Sequence, residues 1–231
     1  MTPSITLSQS IFKNALGLAL FAMVTAGVIA VVQFNTQQQI TNNIAQAQAR
    51  ALYEITPKDS VDNNLLTDKL DLTSPKIRSL ANINELGKLK EGTSAHFAKK
   101  DGQVHTIIFP VISPNGYTTN IHMLVGIKLD GTLAGVRVVD HKETPGLGDK
   151  IDIKKSSWIS EFTGKSLQQP SYDNWKVKKD GGQFDQFTGA TITPRAVVGA
   201  TLKALTFFAK NKELLLNEFS SQNISTPVES L

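Results

Sequence analysis

The hydrophobic pattern of the chain begins with one long apolar run. It extends from Ala15 to Val32 without a charged residue. A run of this length can cross a bilayer as a helix, and it predicts a transmembrane anchor over residues 11–33. A cleaved signal peptide is the competing interpretation, but the run is longer than the usual signal core and offers only a weak cleavage site. We therefore expect residues 1–10 to precede an uncleaved anchor.

A polar segment follows the apolar run. Residues 34–58 are rich in Gln, Asn and Ala, and Pro57 is expected to end any helix formed there. The segment predicts a stalk helix with a weak apolar stripe. The stripe could lie on the membrane surface, on a neighbour or on the chain's own domain, and the last is favoured. Its members, at roughly helical spacing, are Ile40, Ile44, Ala47 and Leu52.

The remainder predicts one domain over residues 59–219 and a frayed polar tail over 220–231. Residues 59–95 show only short helical pieces, broken by Pro75 and Gly87. The β pattern begins after the charged turn Lys99–Gly102. Its predicted strands are Val104–Phe109, Ile121–Leu129, Leu133–Val139 and a segment carrying Asp185 and Phe187.

Turn signals indicate how these strands are connected. Asp130-Gly131 is a strong hairpin signal between two alternating β-branched runs, and Asp180-Gly181-Gly182 precedes the last strand. Helical signals occupy Ile153–Phe162 and Pro194 to about Phe219. Because the strands follow one another through hairpins, the predicted fold class is α+β with a largely antiparallel sheet and packed helices. The apolar face of the final helix is expected to contain Val197, Val198, Leu202, Leu205 and Phe208 or Ala209.

The segment just before the final helix carries the most distinctive chemistry. Its sequence is DQFTGAT, residues 185–191. Gly189 permits a tight turn, Thr193 is a suitable N-cap, and Pro194 suits the first helical position. This arrangement presents the hydroxyl of Thr191 at a helix N-terminus, where a phosphate would be stabilised. The local pattern alone is also typical of an ordinary strand-turn-helix joint.

A second distinctive segment follows the predicted hairpin. Residues 143–148 read ETPGLG, in which Pro145 fixes one turn position and two glycines permit conformations closed to other residues. Turn chemistry alone is also compatible with a plain connecting loop, or with a loop against which a flat ligand lies.

Composition narrows the possible functions. The 231 residues carry a net charge of +4 with basic and acidic residues interspersed, which favours a solvated mixed surface over nucleic-acid binding. The absence of cysteine excludes disulfides, thiolate catalysis and Cys-ligated metal sites. The four histidines lack close metal-ligand spacing, so no metal site and no catalytic residue is predicted.

The motif Asp185-x-x-Thr188-Gly189-Ala190-Thr191 resembles the sequence that flavin transferases recognise when they move FMN from FAD onto a threonine. Its place near the end of an anchored domain resembles the G subunit of the Rnf (Rsx) electron-transport complex and, more distantly, the C subunit of the Na⁺-translocating NADH:quinone reductase. The resemblance covers nearly the whole chain.

The resemblance implies an FMN-binding domain with FMN joined to Thr191 as a phosphoester. It also implies that the ETPGLG loop approaches the flavin. The expected flavin neighbours are Glu143, Thr144, Leu147 and Gly148, with Asp185, Thr188, Gly189 and Ala190 from the acceptor motif. Lys165 could neutralise the phosphate, although a lone lysine after a turn is more often solvated. Trp158 and Trp175 could stack on the ring but are more often core aromatics.

The resemblance also implies a function for the chain. The chain would be a membrane-anchored subunit that relays electrons through covalent FMN in an ion-translocating ferredoxin:NAD oxidoreductase, with the other Rnf subunits and a flavin transferase as partners. Lys13 precedes the anchor and the next basic residue is Arg50, a bias that predicts a cytoplasmic N-terminus and a periplasmic domain at the bacterial inner membrane. The alternatives are a cofactor-free periplasmic adaptor and a soluble enzyme with loosely bound flavin.

Overall fold

The computed structural model describes residues 7–225, so most of the predicted N-terminal segment and the end of the tail lie outside it. The first helix, α1, spans Leu7–Ile55. Within it, Ser10–Gln37 is long and apolar enough to cross a membrane. The chain divides into two compact units, the first ending at Gln48 and the second beginning at Ala49.

The predicted stalk is not a separate helix, because α1 continues through it without a break. Gln and Ala are good helix formers, and no Pro or Gly interrupts residues 34–55. The helix ends at Ile55, two residues before Pro57, as expected. Of the predicted apolar stripe, Leu52 is buried in the second unit. The side chains of Ile40 and Ala47 are exposed, and the side chain of Ile44 is not among those that the structure describes.

The second unit is built on one antiparallel sheet whose five strands pair in chain order. This confirms the predicted α+β class. The strands are β1 Lys69–Asp71, β2 Ser94–Lys100, β3 Gln103–Ser113, β4 Ile121–Lys128 and β5 Leu133–Asp140. Two further α-helices belong to the unit, α2 Pro75–Leu80 and α3 Ile192–Ser225. Short 3₁₀ helices cover Lys58–Ser60, Ile83–Leu86, Gly148–Ile151, Ser157–Phe162, Tyr172–Asn174 and Lys178–Asp180.

The hairpin turns follow the sequence signals. Asp130-Gly131 joins β4 to β5, with Gly131 at φ +87° and the Asp130 side chain accepting from the Thr132 amide at 2.8 Å. The charged turn before β3 also proves to be a hairpin. Asp101 and Gly102 both have positive φ, 53° and 73°, as a two-residue turn between twisted strands requires. The sheet therefore starts earlier than predicted, at β1 and β2.

The sheet is covered on both faces. On one face α3 packs on β3, where Phe207 and Phe208 lie edge-on to Phe109 at ring-centroid distances of 5.7 and 6.2 Å. On the other face Leu52 and Ile55, from the end of α1, form a second cluster with Leu65, Ala98 and Ile108. The last turn of α1 is thus part of the domain.

Several predicted elements differ from the structure. Pro75 begins α2 instead of breaking a helix, because Ser74 caps it through the Ile77 amide and Pro needs no hydrogen-bond acceptor in the first turn. The helix predicted over Ile153–Phe162 is present only as the 3₁₀ helix Ser157–Phe162. No strand carries Asp185 and Phe187, and the β pairing of residues 177–190 consists of the isolated bridges Val177–Phe184 and Phe187–Ala190.

Helix α3 is longer than predicted at both ends, and the six residues 220–225 of the expected tail are helical. The expected packing face is present for Val197, Val198, Leu205 and Phe208, which are buried. Leu202 is only half-buried and Ala209 is exposed.

Candidate functional site

The acceptor segment, residues 184–191, is held by buried aromatic side chains and not by a strand. Phe184 stacks on Phe162 with ring centroids 4.6 Å apart, and Phe187 lies edge-on to Trp158 at 5.0 Å. The Trp158 indole N–H also donates to the Asp185 carbonyl at 3.0 Å. These contacts fix two points of the segment, and Asp185, Gln186, Thr188 and Gly189 stay exposed between and beyond them.

Thr191 lies at the entrance to α3. The helix begins at Ile192, and the Thr191 carbonyl accepts from the Arg195 amide at 3.4 Å, as the carbonyl of an N-cap residue does. Thr191 is half-buried. The predicted cap, Thr193, instead lies inside the first turn and is fully buried, with its hydroxyl donating to Glu143. Pro194 remains in the first turn, where no N–H is needed.

The ETPGLG loop is a compact turn closed by its own backbone. The Thr144 carbonyl accepts from the amides of Leu147 and Gly148, each at 3.1 Å. Gly146 has φ +77°, which explains one of the two glycines. Gly148 is required for a different reason, because a Cβ there would lie 2.9 Å from Thr193 Oγ and 3.0 Å from Glu143 Cβ.

The structure brings the two distinctive segments together. A Cβ added to Gly189 would lie 3.4 Å from Leu147 Cδ2, so the tip of the loop sits against the acceptor turn. At the base, Gly148 and Glu143 both contact Thr193. Segments more than forty residues apart in the sequence therefore meet in one junction at the N-terminus of α3, formed by residues 143–148 and 187–193. Leu147 and Thr144 are exposed there.

Glu143 connects a third segment to this site. Its side chain is 4% exposed, and besides Thr193 it accepts from the amides of Tyr117 at 3.2 Å and Thr118 at 3.1 Å. Both amides belong to the loop between β3 and β4. Buried carboxylates need such donors, because an unsatisfied buried charge is costly.

Two ion pairs flank the acceptor segment. Lys178 Nζ lies 2.5 Å from Asp185 Oδ1, which raises the pKa of Lys178. Arg195 makes a two-pronged contact with Asp180, both bonds 2.5 Å long, and the Arg195 hydrogen bond lowers the pKa of the Asp180 carboxyl. Burial, and then the charge of Asp185, raise the pKa of Glu161. Asp185 is thus already paired with a cation in the folded chain.

Lys165 and two surface cavities take no part in the contact between the ETPGLG loop and the acceptor turn. Lys165 Nζ sits 5.5 Å from the centre of the Phe184 ring. Lys165 also lines a surface cavity of about 490 Å³, together with Thr163, Gly164, Gln168, Gln169, Pro170 and Gln183. A larger cavity, about 760 Å³, is lined by residues between Arg78 and Glu91. Neither contains a residue of the loop or of the acceptor segment. Trp158 and Trp175 are buried, as core aromatics are.

Sequence reasoning missed the roles of Thr193, Tyr117 and Thr118. Pro114-Asn115-Gly116 is a turn signal that marks the β3–β4 loop. No local pattern reveals that this loop meets Glu143, since the contact spans about 25 residues. Within residues 7–225 no cluster of three or more His, Cys, Asp and Glu residues could hold a metal.

Comparison with known proteins identifies the chain. The model of the FMN-binding domain matches residues 116–206, and the model of the RnfG N-terminal region matches residues 1–55. The G subunit of the ion-translocating oxidoreductase complex of Pseudomonas aeruginosa (strain UCBPP-PA14) is 47% identical over 208 residues, covering 90% of this chain and 93% of that protein. This chain belongs to the RnfG family.

Other members of the RnfG family show the same degree of similarity. The G subunit of the complex from Pseudoalteromonas atlantica is 43% identical over 217 residues, covering 94% of this chain and 95% of that protein. The corresponding protein of Vibrio vulnificus is 43% identical over 210 residues, covering 91% and 95%. The likeness therefore includes both the anchor and the domain.

The residues at the junction fit an FMN phosphoester. Thr191 is partly exposed, Thr188 and Gly189 are exposed, and the first amides of α3 have no acceptor within the helix. Helix N-termini bind phosphate in this way. Leu147 leaves an apolar side chain 41% accessible next to the acceptor turn.

Proposed function

We propose that the chain is a membrane-anchored electron-relay subunit of an Rnf-type complex that carries FMN covalently on Thr191. One observation carries the proposal: in a member of the RnfG family, the acceptor motif and the ETPGLG loop meet at the N-terminus of α3. The flavin supplies one- and two-electron chemistry when bound, and the protein supplies its placement and environment.

The proposed attachment is a phosphoryl transfer from FAD to Thr191. The Thr191 hydroxyl oxygen attacks the FMN-side phosphorus of FAD, the bond to the bridging oxygen of the pyrophosphate breaks, and AMP leaves. The proton of the hydroxyl passes to a base of the transferase. The product is FMN esterified to Thr191, and no oxidation or reduction occurs in this step.

The chain's own residues divide between attachment and placement. Asp185, Thr188, Gly189 and Ala190 form the surface that the transferase reads. Thr144 and Leu147 present exposed side chains to the flavin. Gly148 allows the loop to pack closely on Thr193 and Glu143, which support it on the buried side. Lys165 is a weaker candidate for the phosphate, because its contact with Phe184 favours a role in packing the aromatic cluster.

The anchor and the tether suit a domain outside the cytoplasm. We propose that the domain is periplasmic at the inner membrane, where a dissociated FMN would not be replaced from the cytoplasmic pool. A phosphoester keeps the flavin bound at any dilution. The membrane subunits of the same complex are the proposed electron-transfer partners.

The test is peptide mapping after coexpression of the full chain with a flavin transferase. Trypsin should release Asp180–Arg195, which contains Thr188, Thr191 and Thr193. We expect this peptide to carry FMN less one water, and the denatured protein to fluoresce as a flavin in a gel. Thr191→Ala should lose both signals because no oxygen remains, while Thr191→Ser should be partly labelled.

Gln186→Ala is the matched control, because Gln186 is exposed within the same peptide and occupies a position that the acceptor motif leaves open. It should be labelled as fully as the unaltered chain. An unlabelled peptide in the unaltered chain would favour the cofactor-free adaptor instead. Equal labelling of the Thr191→Ala protein would place the flavin on another residue.

A further inference from the structure

The buried carboxylate of Glu143 accepts three hydrogen bonds that come from two separate parts of the chain. Oε2 accepts from the Tyr117 amide at 3.2 Å and also from the Thr193 hydroxyl, and Oε1 accepts from the Thr118 amide at 3.1 Å. The contacts with Thr193 and Tyr117 share one oxygen atom. The loop between β3 and β4 is therefore held directly against the first turn of α3.

This arrangement has an electrostatic reason. The salt bridges of the described residues 7–225 do not include Glu143, so its charge is compensated by N–H and O–H donors and by the positive end of α3. Removing a donor would leave a buried charge less satisfied. The carboxylate thus depends on both segments staying in place.

Gly116 allows the loop between β3 and β4 to pass close to the Glu143 carboxylate. A Cβ added to Gly116 would collide with the Thr119 carbonyl and lie 3.1 Å from Glu143 Oε1. Tyr117, the next residue, is 67% exposed. Its backbone amide donates to the buried carboxylate of Glu143, so the loop holds an aromatic ring at the surface in a defined place.

We propose that Glu143 is a positioning residue that fixes the loop Pro114–Asn120 as a third side of the flavin site, with Tyr117 as a contact of the isoalloxazine ring. The inference rests on the proposed attachment of FMN to Thr191. It changes the role expected for Glu143, whose carboxylate supports the site from inside and does not face the flavin. The match to the FMN-binding domain begins at Gly116, so it includes Tyr117.

The positioning role is tested first in the unflavinylated full-length chain, by amide hydrogen exchange at Tyr117 and Thr118. Glu143→Gln keeps the volume but offers one acceptor oxygen, and Thr193→Val keeps the shape but removes the hydroxyl. We expect exchange of the Tyr117 amide to become about tenfold faster or more in Glu143→Gln, with a smaller increase in Thr193→Val. Thr193→Ser should restore the protection seen in the unaltered chain.

Thr188→Val is the matched control, because it removes an exposed hydroxyl of the acceptor segment that Glu143 does not contact. It should leave both amides as protected as before. Unchanged protection at Tyr117 and Thr118 in Glu143→Gln and Thr193→Val would overturn the positioning role. If Glu143→Gln does not fold, Thr193→Val and its serine rescue decide the matter.

The second arm measures the flavin in labelled protein. Tyr117→Leu substitutes an exposed side chain and should spare the fold, yet we expect it to change the visible circular dichroism and midpoint potential of the flavin. Glu143→Gln should alter both as well, whereas Tyr172→Leu, at another exposed tyrosine, should alter neither. Unchanged flavin signals in Tyr117→Leu would show that the loop is not part of the site.

The two arms separate this inference from the proposed function. Absence of covalent FMN on the unaltered chain would refute both the attachment and the ring contact of Tyr117. The exchange measurements would still show whether Glu143 holds the loop.

Discussion

Gly148 shows how a single missing side chain serves this site. It is buried, its φ lies outside the positive range, and the space where a Cβ would be is occupied by Thr193 Oγ and Glu143 Cβ. If the ETPGLG loop approaches the flavin, as the family resemblance implies, a β-branched residue at Gly148 is expected to disturb the flavin environment more than the fold. The structure changes that expectation, because the collision is with the support of the site and not with open ligand space.

We therefore predict that Gly148→Ala lowers the free energy of unfolding of the chain without flavin by about 1–3 kcal/mol, the usual range for overpacking. Urea denaturation measures it. Gly199→Ala is the opposite control, since Gly199 is helical with nothing within 4 Å of its Cβ position, and it should raise stability by about 0.5–1 kcal/mol. An unchanged free energy of unfolding in Gly148→Ala would mean that the side chains around Gly148 move aside without a loss of stability.

At the scale of elements, the sequence predicted what local patterns control. The β4–β5 hairpin follows from alternating β-branched residues and an Asp-Gly turn, and α3 follows from its apolar spacing. β2 was missed because Ser94–Lys100 has no β-branched residue, and its burial is set by pairing with β3. The sequence pattern wrongly predicted a strand in the acceptor segment. Phe184 and Phe187, three residues apart, are buried there by packing on Phe162 and Trp158 and not by pairing within a sheet.

The candidate site also contains features that the sequence predicts and features that it does not. Both motifs that form it can be read from the sequence, since each is a local turn with characteristic residues. Their meeting at Thr193, and the third contribution from Tyr117 and Thr118, depend on how the sheet orders its strands. Such long-range contacts leave no periodic trace in one sequence.

The end of α1 is expected to contribute to the stability of the domain. Leu52 is 1% exposed and Ile55 is 5% exposed, and Arg137 donates to the Glu54 carboxylate and carbonyl, both at 3.1 Å. A fragment of residues 59–231 should therefore be less stable than one of residues 49–231. We expect a difference of about 3–6 kcal/mol, from roughly 1.5–3 kcal/mol for each buried Leu or Ile side chain.

Chemical denaturation of the two fragments measures this difference. Leu52→Ala in the longer fragment is the matched control and should account for about 2–4 kcal/mol of it. Equal midpoints for the two fragments would mean that the domain begins after the helix, as the sequence pattern indicates.

At the scale of the whole molecule, an apolar helix and a flavin-binding domain belong to one chain of the RnfG family. The helix continues from the apolar segment Ser10–Gln37 to the residues that pack on the sheet. The apolar segment and the domain are therefore connected without a loop. The side of the membrane on which the domain lies depends on charges near the apolar segment, and these are few.

The last prediction is that the domain lies outside the cytoplasm. Lys13 precedes the apolar run, and the first basic residue after it is Arg50, so the positive-inside rule keeps the N-terminus in the cytoplasm. A phosphatase that is active only after export, fused after Leu231, should be active, and a cytoplasm-only reporter at the same position should be silent. Because one lysine sets the bias, the triple variant Lys13→Gln, Thr36→Lys, Gln39→Lys should raise the inverted fraction and lower phosphatase activity. Thr36→Gln with Gln39→Asn, which leaves the charges unchanged, should behave as the unaltered chain. Activity of the cytoplasmic reporter on the unaltered chain would place the flavin site on the other side of the membrane, where free FMN can be replaced and a covalent tether has no such advantage.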